Sequence, residues 1–315
     1  MIVASFSSDA TLRICERRWF LGSVVAHPTA KKDPLRREAH LLRQLMHPQA
    51  WAGQIVHTTV EKLVLPAVQR GELPEAQELI AYGRNLIAIQ AEFSKRKLHR
   101  VNSKANAGKE FCALFADEYN GGLTIAEREE VDDRVVLALG NLARLETLWS
   151  QVRASSNISI ERPFRVPLDG AILEAKPDLV ILSGSLVTVV DWKCWTSLTA
   201  DPSDQLRFYA HILTRFWDSR TLRADDFNLL GVNLLTASII PVTILDADLD
   251  HADDRATEFL EHANGILDGR DWYEIDLRAL SGPRNPNTCE RCKFRGMCRD
   301  GSHTLKEQTS WLFPC

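Results

Sequence analysis

The charged residues best placed for chemistry are Asp178, Asp191 and Lys193, in Lys176-Pro-Asp and, one hairpin later, Val189-Val-Asp-Trp-Lys. Residues two apart on a strand share a face, so Asp191 and Lys193 point the same way. A turn over 183–186 would pair Leu182 with Val187 and set Asp178 opposite Asp191. Two carboxylates on adjacent strands suit a hard, oxygen-seeking cation such as Mg²⁺ or Mn²⁺. Such an ion lowers the pKa of bound water and offsets charge growing on a phosphate, while Lys193 would orient the nucleophile or stabilise the transition state. That is phosphodiester hydrolysis. The plainer reading of D-x-K alone is a strand-end ion pair, with Asp178 in a Pro-Asp turn. Gln205 and Tyr209 stand at i and i+4 of the helix after the second strand, so both can turn toward the site. His57 supplies an imidazole on an early helix. Taken singly, His57 and Tyr209 read as readily as packing residues.

Seven cysteines lie at 15, 112, 194, 289, 292, 298 and 315. The N-terminus has no basic stretch followed by an apolar one, so no signal peptide is expected and the cytoplasm is the default location. There a disulfide framework is not expected, and an odd count fits one worse. Cys289-x2-Cys292-x5-Cys298 lets one short loop wrap a metal. With His303 these thiolates would form a local Cys3His zinc site. With Cys15, from the far end of the chain, they would supply the four ligands of a 4Fe-4S cluster. Cys15 alone could equally be a small buried hydrophobe. Cys112, Cys194 and Cys315 are read as non-ligands.

The elements that must position these residues change character along the chain. Helices are predicted over 8–22 (capped by Ser8 or Asp9 and closed by Gly22), 38–46, 51–70 and 73–97. A Thr124-x-x-Glu127 capping box opens a further one to about 152. After Asn157 the sequence turns to short β-branched runs: 158–166, 171–173, 179–182 and 186–190. A helix from Ser203 to about Trp217, strands near 229–235 and 242–245, and a helix over 253–267 follow. From Ser281 onward the chain reads as irregular, tied down by something other than a core. The fold class is therefore α/β.

The 315 residues, 45% hydrophobic, can bury a full core, and no transmembrane helix is expected, since polar residues and Pro241 interrupt the longest uncharged stretch. A net charge of −4 excludes general attraction to nucleic acid, so any polyanion must meet a local basic patch. Lys95, Arg96, Lys97, Arg100, Lys104 and Lys109, with no acid between Ser94 and Lys109, form such a segment, read as a DNA-phosphate surface or as a solvated loop. Trp192 and Trp195 flank the D-x-K motif, where either could stack on a base or pack in the core.

The order His57, Pro177-Asp178, Asp191-Trp-Lys193, Gln205 to Tyr209 resembles the RecB-type branch of the PD-(D/E)xK nucleases. The cysteine pattern is similar to the iron–sulfur members, CRISPR-associated exonucleases and AddB-type nuclease domains among them, and this resemblance spans essentially the whole chain. It implies a restriction-endonuclease-like core, a central mixed sheet flanked by helices, within one nuclease domain (1–315). A helical insertion (58–157) would form a wall or arch over the site, and a cysteine-rich segment (281–315) would be stapled to Cys15. It implies that His57, Asp178, Asp191 and the Trp192 carbonyl bind Mg²⁺ or Mn²⁺, that Lys193 is catalytic, and that Gln205 and Tyr209 position DNA or the lysine. It implies an exonuclease acting on single-stranded DNA, in repair or CRISPR adaptation, beside a helicase or an adaptation protein. Two rival readings are a catalytically silent DNA-binding or scaffold subunit and a zinc-ribbon protein binding nucleic acid.

Overall fold

A computed structural model describes residues 2–27, 33–194, 201–217 and 220–298. Strand β1 (Val3–Ala4) leads into helix α1 (Phe6–Ile14), capped by Ser5, whose Oγ accepts the Ser8 N–H at 3.2 Å. The single helix predicted over 8–22 breaks at Cys15. That residue is extended (φ −164°, ψ 111°), its N–H closes α1 on the Thr11 carbonyl, and its Sγ caps α2 (Glu16–Trp19). A wider π-type turn, Phe20–Val25, carries the chain through Gly22 instead of stopping there.

Helix α3 (Pro34–Arg43) starts earlier than predicted because the Asp33 carboxylate caps it, with Pro34 at the first position where a missing N–H costs nothing. Helices α4 (Pro48–Thr59) and α5 (Leu65–Gln69) are joined by a π-type turn, Val60–Val64. Next come α6 (Ala76–Lys95), α7 (Lys104–Ala107), α8 (Phe115–Tyr119), α9 (Ile125–Gly140) and α10 (Glu146–Ala154). The Thr124–Glu127 capping box is present. The helix it opens ends at Gly140 rather than near 152, and a tight turn over Leu142–Arg144 re-aims the chain. Asn141, at that break, donates to the Leu234 and Leu235 carbonyls at 3.0 and 2.9 Å.

Seven strands follow: β2 (Ile158–Ile160), β3 (Phe164–Leu168), β4 (Ala171–Ala175), β5 (Leu179–Ser183), β6 (Leu186–Lys193), β7 (Phe227–Asn233) and β8 (Ser238–Val242). They form two mixed sheets, β1-β4-β3 and β2-β5-β6-β7-β8. Only β6 and β7 run parallel in the larger sheet. Helix α11 (Ser203–Phe216) lies between them in sequence, as a parallel pair requires. Pro202, not Ser203, occupies its N-cap. Helix α12 (Asp246–Leu267) begins earlier than predicted, and α13 (Asn287–Glu290) is the one helix described in the tail.

Strands β5 to β7 are buried on both faces, which explains their continuous apolar runs. One face, with Val180, Val189 and Leu229, packs on α11 through Leu206 and Ile212. The other, with Ile181, Val190 and Val232, packs on α4, α6, α9 and α10 through Ile55, Leu86, Val135 and Trp149. The helical segment is thus a second layer on the sheet. The tail also reaches the core, contrary to the sequence reading: Phe294 and Met297 are each 3% exposed. Among the described residues, no helix is long and apolar enough to cross a membrane.

Candidate functional site

The β5–β6 hairpin has the register its sequence predicts: Leu182 faces Val187 and Leu179 faces Val190. Continuing by one residue sets Asp178 opposite Asp191. The Trp192 N–H donates to Asp178 Oδ2 at 2.6 Å, fixing that carboxylate against the neighbouring strand. Alternation puts Asp191 and Lys193 on the α11 face, while Val190 and Trp192 enter the other core. Trp192 is 2% exposed, its ring 5.8 Å from that of Trp149, so it packs and cannot stack on a base. Trp195 lies outside the described residues.

Lys193 is ion-paired to Asp191, and its Nζ donates to Gln205 Oε1 at 2.8 Å. Gln205 Nε2 in turn donates to Tyr209 Oη at 2.5 Å, so the first turns of α11 hold the ammonium at the strand end. Gly231, facing Asp191 across β6–β7, has no side chain to obstruct α11's entry. A Cβ there would lie 2.5 Å from the Pro202 ring.

His57 reaches this site from α4, in the opposite layer. Its Nδ1 is 3.1 Å from Asp178 Oδ1 and 3.6 Å from Glu161 Oε1. Glu161 was not singled out from sequence, where it sits inside the β-branched run 158–166. The structure gives it φ +50°, a left-handed conformation uncommon for a non-glycine residue, with its N–H on the Asp178 carbonyl at 3.0 Å. Lys176 is ion-paired to it. His57, Glu161 and Asp178 place one donor atom each within 4.8 Å of one another, the one such group of three or more His, Cys, Asp or Glu among the described residues. Asp191 lies outside that group, against Lys193. No pattern of spacing marks Glu161; its acid type at a strand end is the only signal.

The electrostatics separate the carboxylates. Burial pushes the Asp191 carboxyl up to about 6, against the pull of Lys193. Burial also opposes charge on Glu161, but hydrogen bonds from His57 and Lys176 prevail and hold it down at about 2. For His57, burial disfavours the imidazolium, yet bonding to Asp178 and Glu161 raises it to about 10. Burial raises the Tyr209 phenol beyond its ordinary range, so it is neutral and able to accept from Gln205.

Cys15, Cys289, Cys292 and Cys298 line one cavity at the other site. The Arg18 N–H donates to Cys15 Sγ at 3.4 Å, and burial pushes the Cys292 thiol up to about 11. No three of these thiols converge within 4.8 Å. Protein contacts seat the segment: Tyr119 Oη donates to the Lys293 carbonyl at 2.8 Å, and the Arg295 guanidinium lies 4.7 Å over the Phe115 ring and 4.4 Å over that of Tyr119. His303 and Cys315 lie outside the described residues. Cys112 and Cys194 are not among the residues lining that cavity.

The basic segment is less free than its sequence suggests. Lys95, Arg96, Lys97, Lys104 and Lys109 are exposed. Arg100 is instead committed to structure, bonded to both oxygens of Glu38 at 3.1 and 3.0 Å and ion-paired to Glu118.

The family model described as the PD-(D/E)XK nuclease superfamily matches residues 3–299. No curated protein matches the chain. Among solved structures, a protein from Eubacterium rectale provisionally named an exonuclease is similar at 14% identity, over 89% of this chain and 96% of its own, with a TM-score of 0.33. The crystal structure of SSO0001 is similar at 14% identity, over 59% of this chain and 79% of its own, with a TM-score of 0.29.

Proposed function

The chain belongs to the PD-(D/E)XK nuclease superfamily, and from that premise we propose that it is a RecB-like DNA exonuclease acting on single strands. Membership makes it a metal-dependent nuclease with DNA as its substrate, and the mixed α/β architecture agrees with a restriction-endonuclease-like core. The proposal extends to a single domain over 1–315, with residues 58–157 as its insertion and the active centre at His57, Glu161, Asp178, Asp191, Lys193, Gln205 and Tyr209. What carries it is one meeting point. The hairpin's Asp178 and Asp191, the imidazole of a helix from one layer and the Lys193–Gln205–Tyr209 chain of the other come together at one end of the sheet.

One imidazole nitrogen and carboxylate oxygens within 4.8 Å fit Mg²⁺ or Mn²⁺. His57, Glu161 and Asp178 would hold it, joined by Asp191 and by the Trp192 carbonyl. A strand residue's N–H and C=O face the same neighbour, and the Trp192 N–H already meets Asp178. When bound, the ion makes water nucleophilic near neutral pH and offsets phosphate charge. His57 must give up the proton it shares with Asp178 to become a ligand. Lys193, steadied by Gln205, presents its ammonium to a phosphate oxygen or to the attacking water, and Asp191 keeps it at the strand end.

The four cysteines would hold a 4Fe-4S cluster that clamps the tail to α1 and α2. That Cys15 lines the same cavity as Cys289, Cys292 and Cys298 supports a four-thiolate group over a zinc site local to the tail. A helicase or a CRISPR adaptation protein is the partner that this cysteine framework suggests.

The test is degradation of end-labelled single-stranded DNA with Mg²⁺ or Mn²⁺, comparing protein purified without oxygen with its Lys193→Ala variant. Metal-dependent loss of label in the first and not the second is expected. Equal cutting by both, or cutting by neither, defeats the assignment.

A further inference from the structure

A second basic site lies away from the carboxylates, where the two ends of the chain meet. Arg18 from α2, Arg43 from the end of α3 and Lys293 from the cysteine segment line one open cavity of about 530 Å³ with α1 and the β1-β4-β3 sheet. That size is within the ~300–1,000 Å³ typical of ligand pockets. Two further charges line it, Arg165 and Glu174, and they neutralise each other through a bond of 2.6 Å. Among the described residues, neither Arg18, Arg43 nor Lys293 has a carboxylate partner, and Lys293 Nζ donates only to the Arg43 carbonyl, at 3.2 Å. Hydroxyls of Ser5, Ser7 and Ser23 complete the polar wall.

Three cations around a concave, hydroxyl-lined space repel one another unless an anion joins them. Unlike the cations of the 95–109 segment, which lie along an exposed stretch of chain, these three converge on one concavity. We propose that it binds the phosphates of a single DNA strand, holding the strand by its backbone without reading bases. The inference rests on the nuclease reading. It also gives the cysteine segment a second task, because Lys293 follows Cys292 directly and Arg18 donates its N–H to Cys15 Sγ. The contacts that seat the segment therefore also assemble the pocket.

The experiment is fluorescence anisotropy of a labelled oligo-dT with the full-length Lys193→Ala protein, across a salt series, with and without Arg18→Gln, Arg43→Gln and Lys293→Gln combined. The slope of log K against log salt is about −0.7 for each single-strand phosphate contact, so removing three contacts should flatten it by about 2 and weaken binding at least tenfold. Arg43→Gln alone, on an exposed side chain at a helix end, should flatten it by about 0.7 and serves as the arm least able to disturb folding. An unchanged slope and affinity in folded variants overturns the proposal while leaving the nuclease reading intact. So does loss confined to a free deoxynucleoside monophosphate, which would assign the cavity to released product. Failure of the parent to bind DNA, together with failure of the wild type to cut it, overturns the nuclease reading itself.

Discussion

The carboxylate–lysine centre and the cysteine segment both join residues far apart in the chain, but by different means. At the first, backbone register does most of the work: the β5–β6 pairing sets Asp178 against Asp191, and alternation turns Lys193 to the same face. At the second the backbone is irregular, and side chains hold it: Arg295 between two aromatic rings, Tyr119 on a carbonyl, Phe294 and Met297 in the core. A register-built site can lose a functional atom and keep its shape. A site built from side-chain contacts gives up its shape with its contacts.

The sharpest way to break this comparison is to cross one substitution from each region. Lys193→Ala should cut DNA cleavage by about 10²–10³, the effect of removing one charge-stabilising donor, and leave iron content and melting temperature near the parent's. If the four cysteines hold the proposed cluster, Cys15→Ala should abolish its visible absorption and lower the melting temperature, because metal binding is then folding free energy for the segment it ties. Its hydrogen exchange should rise over 281–298 and not over 179–193. Faster exchange in the hairpin after Cys15→Ala would show the two regions to be one cooperative unit.

The next test separates them by pH. In EDTA, Asp191 holds its proton up to about pH 6 in the folded state, against an ordinary value near 3.8. The native state then binds more protons than the unfolded one between pH 4 and 6, so Asp191's contribution is lost as pH rises through that window, and that of the raised His57 is lost separately, between about pH 6.5 and 10. The full Asp191 effect is at most about 3 kcal/mol at 1.36 kcal/mol per pKa unit. Asp191→Asn should remove this slope in denaturant titrations. Glu161, held near 2, acts the other way: its contribution is complete above about pH 4.5 and is lost as pH falls through 2. The Cys292 thiol, at about 11, titrates far outside both ranges. An Asp191→Asn curve parallel to the parent's would count against a desolvated carboxylate in the centre.

The same contrast explains what was legible in sequence. The hairpin could be placed to the residue because period-two alternation and turn length fix register, and Gln205 and Tyr209 followed from helix periodicity. Glu161 was missed because its place in the donor group depends on a left-handed backbone and on a bond to Asp178, neither of which leaves a spacing. The helix break at Cys15 was missed for a related reason. Helical periodicity runs through it, and only the extended backbone that aims its thiol reveals the stop. Arg100 looked like a DNA contact because its partners Glu38 and Glu118 are distant in sequence. Glu161→Gln sharpens the point. Removing one donor should raise the Mn²⁺ concentration for half-maximal cleavage by about 10–100-fold, while cleavage at saturating metal falls less. An unchanged metal requirement would take Glu161 out of the ligand set.

The smallest expected effect concerns the seat of the cysteine segment. Arg295 is 8% exposed, stacks on Phe115 and Tyr119, donates to the Glu290 carbonyl at 2.7 Å and donates to Asn120 Oδ1 at 2.9 Å. Methionine would keep much of the ring contact but lose the charge and both hydrogen bonds. Arg295→Met should therefore cost about 1–2 kcal/mol, since desolvated cation–π contacts and charged hydrogen bonds each contribute on that scale and the thioether recovers part of it. Because backbone register holds the hairpin independently, the loss should appear as faster exchange of the Cys292 and Met297 amides, which close turns on the Cys289 and Phe294 carbonyls. Single-turnover cleavage should stay within about twofold of the parent. Were cleavage to fall as far as in Lys193→Ala, the cysteine segment would be part of the active centre, and the separation drawn between the two regions would be wrong.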